Sequence, residues 1–333
     1  MSLGLVMIAR DAASGIERAL ASVRGVVDEM LVLDTGSADG TPERARRAGA
    51  RVAHFAWIDD FSAARNAALD LCCADWCLVL DADEWLAEGA QALNAAVARA
   101  PEFVGLLAVA SDTDNGGLVQ RCVSWLPRLL PRGVRYAGRV HEQPQSSLPR
   151  ERLQVTLGHD GYRDAALRAK DGRNLRLLSR ALQESPGDPY LLYQLGRDHE
   201  VHGRYAEAAG PYRQALAAAP LQAAWRHDLV VRTLFTLKMA RCHAEAMQLA
   251  EREMPRWSRS PDFYFALGDL LLDWAAEEPA RAAELLPLIE ASWQRCLAIG
   301  ENPALEGAVA GRGSHLAAYN LALLRQHLGT VSA

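Results

Sequence analysis

The strongest constraint on the fold is a set of short apolar segments that alternate with helix-like ones. LGLVMIA (3–9), EMLVL (29–33), RVAHF (51–55) and WCLVL (76–80) are each too short for a buried helix, so they read as buried strands. Between them lie SGIERALASVR (14–24), with Ser14 and Glu17 spaced as a capping box, TPERARRAGA (41–50), closed by Gly49, and FSAARNAALDLC (61–72), with Ser62 near its start. This alternation predicts a mainly parallel sheet wrapped by helices. In such a sheet, ligands sit outside the C-terminal ends of the strands. Two of these ends are acidic: Asp34 closes the second strand, and Asp81-Ala82-Asp83-Glu84 follows the fourth.

Carboxylates two apart at a strand end can both reach one hard cation, or one can hold the cation while the other holds water or a hydroxyl. Mg²⁺ and Mn²⁺ prefer oxygen ligands and keep positions open for phosphate. A solvated turn is the alternative for Asp81 and Asp83, and a capped turn the alternative for Asp34. Beyond the acidic turn, 86–100 reads as a helix and 104–110 as a strand. DTDNGG (112–117) reads as a turn, and 118–140 as paired strands rich in arginine.

After Asp164 the character changes. Residues 165–184 form one amphipathic helical pattern, and from Pro186 the chain repeats. Residues 189–220 carry Leu195-Gly196, Gly203, Tyr205, Ala208, Tyr212, Ala215 and Pro220, the tetratricopeptide pattern of two antiparallel helices with small residues where they cross. A looser copy holds Leu229, Ala246, Leu249 and Pro255, and a third places Leu267-Gly268 in the same position. Residues 314–329 read as a terminal capping helix. Such hairpins bury their apolar faces only by stacking. The expected domains are therefore 1–164, α/β, and 165–333, all-α. The tail offers no chemistry: His199, His202, His227 and His243 lack metal-ligand spacing and are expected on helix surfaces, and Trp225, Trp257, Trp274 and Trp293 are expected to pack.

A net charge of −5 excludes a general nucleic-acid footprint. Residues 1–160 hold 16 arginines against 21 carboxylates, so an anion there needs a bound cation or local arginines. Six cysteines without a C-x-x-C pair read as reduced, and no apolar run is long enough for a transmembrane helix. A cytoplasmic protein, soluble or peripheral at the inner membrane face, is expected.

The ordered motifs MIARDA (7–12), VDEMLVLDTGSADGT (27–41), AWIDDFSAARNAAL (56–69), DWCLVLDADEW (75–85), RVHEQP (139–144) and HDGY (159–162) resemble glycosyltransferase family 2. The resemblance covers roughly residues 1–165 and is nearest to the lipooligosaccharide β-1,4-glucosyltransferase-like subset. Family members with tetratricopeptide tails include a peptide S-glycosyltransferase. The resemblance implies a GT-A, Rossmann-like domain and an inverting, metal-dependent hexosyltransferase. Its donor would be a nucleotide-diphospho-sugar, with a UDP-sugar favoured, and its cofactor Mn²⁺ or Mg²⁺. By position, Asp34 matches the carboxylate on the nucleotide base and Asp39 a second motif residue that either shapes the turn or touches ligand. Arg65 matches an arginine near the donor diphosphate, with an ion pair to Asp59 or Asp60 as the alternative. Asp83 matches the metal ligand, and Asp81 the residue on ribose or metal-bound water. Glu142 is the expected general base, with Asp160 second. His141 and His159 are candidates to complete the metal shell, and Arg128 and Arg132 to meet phosphate. The family's Lys-Asn-Glu near the first strand is replaced here by Arg10-Asp11-Ala12.

Expected acceptors are a glycan, a lipid-linked saccharide, or a peptide or protein, with a homodimer through the tail as a further partnership. The alternative is a non-catalytic tetratricopeptide scaffold carrying an inactive transferase-like domain. A nucleotidyltransferase usually needs a Lys-containing phosphate loop near the first strand, and the two lysines here, Lys170 and Lys238, are far from it.

Overall fold

A computed structural model describes residues 1–115, 118–159 and 172–331. The chain divides into two compact units, Met1–Ala181 and Leu182–Ala333. In the first unit, β1 (Leu3–Ala9), β2 (Glu29–Asp34), β3 (Arg51–His54) and β4 (Trp76–Val79) are separated by α1 (Ile16–Ser22), α2 (Thr41–Arg47) and α3 (Phe61–Leu71). These strands pair in parallel in the order β3-β2-β1-β4. Residues alternate between two cores, as a sheet covered on both faces requires: Leu3, Leu5 and Met7 enter one, Val6 the other with Leu31 and Leu33.

The sheet continues through β7 (Leu118–Pro131), β6 (Val104–Asn115), β10 (Arg150–His159) and β5 (Glu84–Glu88). β7 runs antiparallel to β4 and β6, β10 parallel to β6, and β5 antiparallel to β10. β5 starts five residues after β4 ends yet pairs at the far edge, Glu84 opposite His159. The acidic turn therefore bridges two parts of the sheet distant in hydrogen-bond order. A small ribbon, β8 (Arg135–Ala137) with β9 (Gln143–Gln145), lies apart.

The helix expected over 86–100 is shorter. Its start is strand β5, and the helix α4 is Ala90–Val97. Gly89 between them has φ 91°, and a Cβ there would run into the Gln154 carbonyl of β10. That close approach decides the turn, and periodicity does not report it. α3 is capped by Asp60, whose Oδ1 accepts from Ala63 N at 2.9 Å; Ser62 Oγ donates to the same oxygen.

α5 (Arg173–Glu184) is the described part of the helix expected over 165–184; 165–171 lie outside the described residues. In the second unit three helical hairpins follow: α6 (Pro189–Val201) with α7 (Tyr205–Ala218), α8 (Arg226–Met239) with α9 (His243–Glu253), and α10 (Pro261–Glu277) with α11 (Ala282–Ile299). The terminal helix is α12 (His315–Val331). The repeated glycines have one cause. A Cβ on Gly196 would enter the ring of Tyr212, and one on Gly268 would lie 2.5 Å from Trp293 Nε1. Trp274 and Trp293 are buried in the core. Two histidines expected on the surface are buried instead. His227 meets the Glu306 carbonyl and Ser260 Oγ, both at 2.7 Å, and His243 stacks on Trp274. Among the described residues, no helix is long and apolar enough to cross a membrane.

Candidate active site

The turn after β4 closes on itself through Glu84, whose Oε2 accepts from Asp81 N at 3.0 Å. Gly15, just before α1, lies against this turn so closely that a Cβ there would be 2.7 Å from the Ala82 carbonyl oxygen. The Asp81 carboxylate is held from both sides. Arg65 Nη2 donates to Oδ1 and Arg128 Nη2 to Oδ2, each at 2.7 Å. Arg128 Nη2 also donates to Glu84 Oε1 at 2.5 Å, and Arg65 Nε donates to Glu142 Oε1.

Arg65 comes from α3, Arg128 from β7 and Glu142 from the segment between β8 and β9. One cluster thus joins four separate stretches of chain. Burial alone would raise the Asp81 carboxyl, but Arg65 and Arg128 outweigh it and hold it well below the ordinary carboxylate range. For Glu84, burial wins over Arg128 and pushes the carboxyl up. Tyr136, under Arg65, is pushed up to about 12 by burial. Among the described residues, Arg65 Nη1, Arg128 Nε and the Tyr136 hydroxyl are buried without a hydrogen-bond partner.

Asp83 lies beside this cluster, its side chain a third exposed. Its Oδ2 is 3.6 Å from His159 Nε2, and His159 Nδ1 is 2.9 Å from Ser111 Oγ. The serine thereby fixes the ring so that Nε2 faces the carboxylate.

Asp34 is folded into its own turn: Oδ2 accepts from Gly36 N at 3.1 Å, and both oxygens lie 3.3 Å from Ser37 N. Burial raises this carboxyl, but the bonds from Ser37 and Gly36 leave it below its ordinary value. Asp39 likewise shapes the turn, accepting from Ala13 N at 2.9 Å and from Thr41 N and Oγ1. Asp11, at φ 48°, accepts from Ala38 N at 2.8 Å, so the divergent Arg10-Asp11-Ala12 stretch is bonded to the same turn.

Arg65 pairs with neither Asp59 nor Asp60 but with Asp81 and Glu142. Arg128 and Arg132 part company. Arg132, just past the end of β7, donates to the Cys73 carbonyl before the start of β4, at the opposite end of that short strand from Asp81. His141, next to Glu142, has φ 52°, and its carbonyl lies 3.4 Å from Gln143 Nε2. Asp160 lies outside the described residues. Among the described residues, no three His, Cys, Asp or Glu groups form a ready-made metal cage. Sequence reasoning missed Glu84 as the partner of Arg128, although it is the third acid of the DADE turn. It also missed Ser111 and Tyr136, which carry no motif.

Residues 5–122 match the model of Glycosyl transferase family 2. This part of the chain is a glycosyltransferase family 2 domain. A TPR repeat-containing protein of Synechococcus elongatus is 35% identical over 241 residues, 68% of this chain and 60% of that protein. The SPbeta prophage-derived glycosyltransferase SunS of Bacillus subtilis is 28% identical over 203 residues, 58% of this chain and 48% of SunS. The chain thus spans 60% or less of the length of these relatives. Glucosyl-3-phosphoglycerate synthase from Mycobacterium tuberculosis, solved with Mn²⁺ and UDP, is 23% identical over 35% of this chain and 45% of its own, with a TM-score of 0.29, too slight a likeness to argue from. The matched span of the glycosyltransferase domain carries Asp34, Asp39, Arg65, Asp81 and Asp83. Arg128, Glu142 and His159 lie beyond it and join the site only through the fold.

Proposed function

We propose that this chain is an inverting, metal-dependent glycosyltransferase that moves a sugar from a nucleotide-diphospho-sugar, with a UDP-sugar favoured, to a glycan, lipid-linked saccharide, peptide or protein. The observation that carries the reading is the approach of Asp83 to His159 at 3.6 Å, at the acidic rim where β4 ends. One oxygen and one imidazole nitrogen so spaced suit a shared hard cation, because ligands about 2 Å from one ion stand roughly 3 Å apart. Charge agrees: among the described residues Arg65 and Arg128 are shared by three carboxylates, Asp81, Glu84 and Glu142, before Asp83 is counted.

Asp83 and His159 would hold Mn²⁺ or Mg²⁺, which stabilises charge on a departing diphosphate. Asp81, tied to two arginines, is better suited to ribose or a metal-bound water than to direct ligation. Arg65 and Arg128 keep it ionised and oriented. Glu142 is the proposed base, taking the acceptor proton during a single displacement, with its carboxylate aimed by Arg65. Asp34, already bonded to its own turn, would present its rim to the nucleotide base.

A panel of nucleotide sugars with Mn²⁺, scored for slow donor hydrolysis, tests the reading. Asp83→Ala is expected to lose about 100-fold or more in turnover, and Glu142→Gln a comparable factor in transfer. Full activity of Asp83→Ala would remove the metal site, and full activity of Glu142→Gln would move the base elsewhere. One observation favours the scaffold reading: Asp81 already occupied by two arginines. Calorimetry separates the two, since a scaffold binds no uridine or guanosine diphosphate with or without metal.

A further inference from the structure

Two arginines outside the Asp81 cluster stand together at the start of α5. Arg176, in the first turn of α5, donates to Asp59 at 3.0 Å. Arg173, three residues earlier, lays its guanidinium over Phe61, 5.4 Å from the ring centroid. Phe61 in turn meets Trp57 edge-on at 4.8 Å, and Trp57 Nε1 donates to the same Asp59 at 2.9 Å.

Arg173 is pushed below its ordinary value, by burial first and then by the charges of Arg10 and Arg176. A guanidinium does not give up its proton at neutral pH, so the shift marks a partly buried cation with like charges near it. The counter-charges do not cancel it. Asp59 is shared by Arg176 and Trp57, and Asp11 stands 3.8 Å from Arg10. Among the described residues Arg173 meets no carboxylate, only Asn174 at 3.5 Å.

The segment beneath them spans the site. Phe55 N donates to the Asp34 carbonyl and Phe61 N to the Arg139 carbonyl, both at 2.8 Å, so 55–61 runs from the turn of Asp34 to the segment that carries Glu142. Neither Arg173 nor Arg176 falls within the residues matched by the family model.

We propose that Arg173 and Arg176, held against Phe61 and Asp59 beside the Trp57–Phe61 pair, bind a phosphate group of a substrate. Arginine is suited to this because its fork meets phosphate oxygens in pairs, and a dianion relieves the mutual repulsion. The substrate's identity rests on the transferase reading above; the anion site itself does not. The phosphate has two sources, the diphosphate of the donor or a phosphate on the acceptor.

Calorimetry on the full chain distinguishes them. UDP is titrated first, then inorganic phosphate into the UDP-saturated protein. Arg173→Ala/Arg176→Ala is compared with Arg24→Ala/Arg47→Ala, which removes the same charge from exposed positions elsewhere. If the donor supplies the phosphate, the first variant binds UDP about tenfold or more weaker, and the control binds as wild type. If the acceptor supplies it, UDP binding is unchanged and phosphate binding to the UDP-saturated variant is lost. Arg173→Lys keeps the charge without the fork and recovers only part of the affinity in either case, and circular dichroism verifies that each variant folds. UDP and phosphate binding equal to the control overturns the proposal. Phosphate binding that needs these arginines, in a protein that binds no UDP with any divalent metal, upholds the site and overturns the transferase reading.

Discussion

Buried charge is arranged differently in the two units. In the helical unit two sets are balanced and mostly hidden. Arg226 meets Glu253 at 2.7 Å, both almost fully buried, and Arg232 meets Asp228 at 2.6 Å and Glu200 at 2.8 Å, with Arg197 acting on the same aspartate. Each set joins neighbouring helices of the array. In the first unit two arginines face three carboxylates, with Asp83 beside them and both aspartates a third exposed, at the rim of a sheet. Balanced ions hold helices together; an unbalanced, partly open set has capacity left for a ligand. Buried ion pairs add little net stability but cost much when halved, so both arrangements are fragile to the loss of one partner and differ in what can replace it.

The largest expected effect follows from that difference. Arg65→Ala leaves Asp81 and Glu142 short of a partner and should cost the first unit about 3 kcal/mol or more. Arg226→Ala should cost the helical unit a similar amount. Mn²⁺ should restore part of the loss in Arg65→Ala, where uncompensated carboxylates surround an open rim, and none in Arg226→Ala. Denaturant unfolding with and without Mn²⁺ reads this directly, and equal rescue of both would erase the distinction.

A smaller effect separates packing from charge. Gly268→Ala drives a methyl against Trp293 and should cost about 1–3 kcal/mol. It should lower the melting of the helical unit by circular dichroism while nucleotide affinity holds. Unchanged melting would mean that the helix crossing tolerates a side chain.

The smallest effect is on acid stability. The folded Asp81 carboxyl lies below its ordinary value of 3.8, so its contribution is fully present above that pH and is lost as pH falls through the lower folded value. Asp81→Asn should therefore flatten the fall in stability below about pH 4, as followed by urea melts across that range. An acid limb as steep as wild type would assign the effect to other carboxylates.

Much of the fold was legible because it is written in local periods. The four parallel strands and their helices follow from short apolar runs, and the hairpins from Leu-Gly and Ala positions that repeat. Strand β5 was not legible. Trp85 and Leu86 fit either period, and only pairing with β10 and the turn at Gly89 decide for a strand. His227 and His243 were misplaced for a related reason: their burial depends on partners from other hairpins and from the segment before α12.

The site divides in the same way. Sequence alone determined that carboxylates stand at the ends of β2 and β4, because the side chains that follow a buried strand must leave the core at its rim. It also determined that the tail is an array of helical hairpins, since their apolar faces recur at a fixed spacing. Only the tertiary structure decided which groups meet: Arg65 with Asp81 and Glu142, Arg128 with Glu84, Asp83 with His159. Partners 16 to 77 residues apart are joined by strand order and by the bridging turn after β4. A one-dimensional pattern carries no term for either.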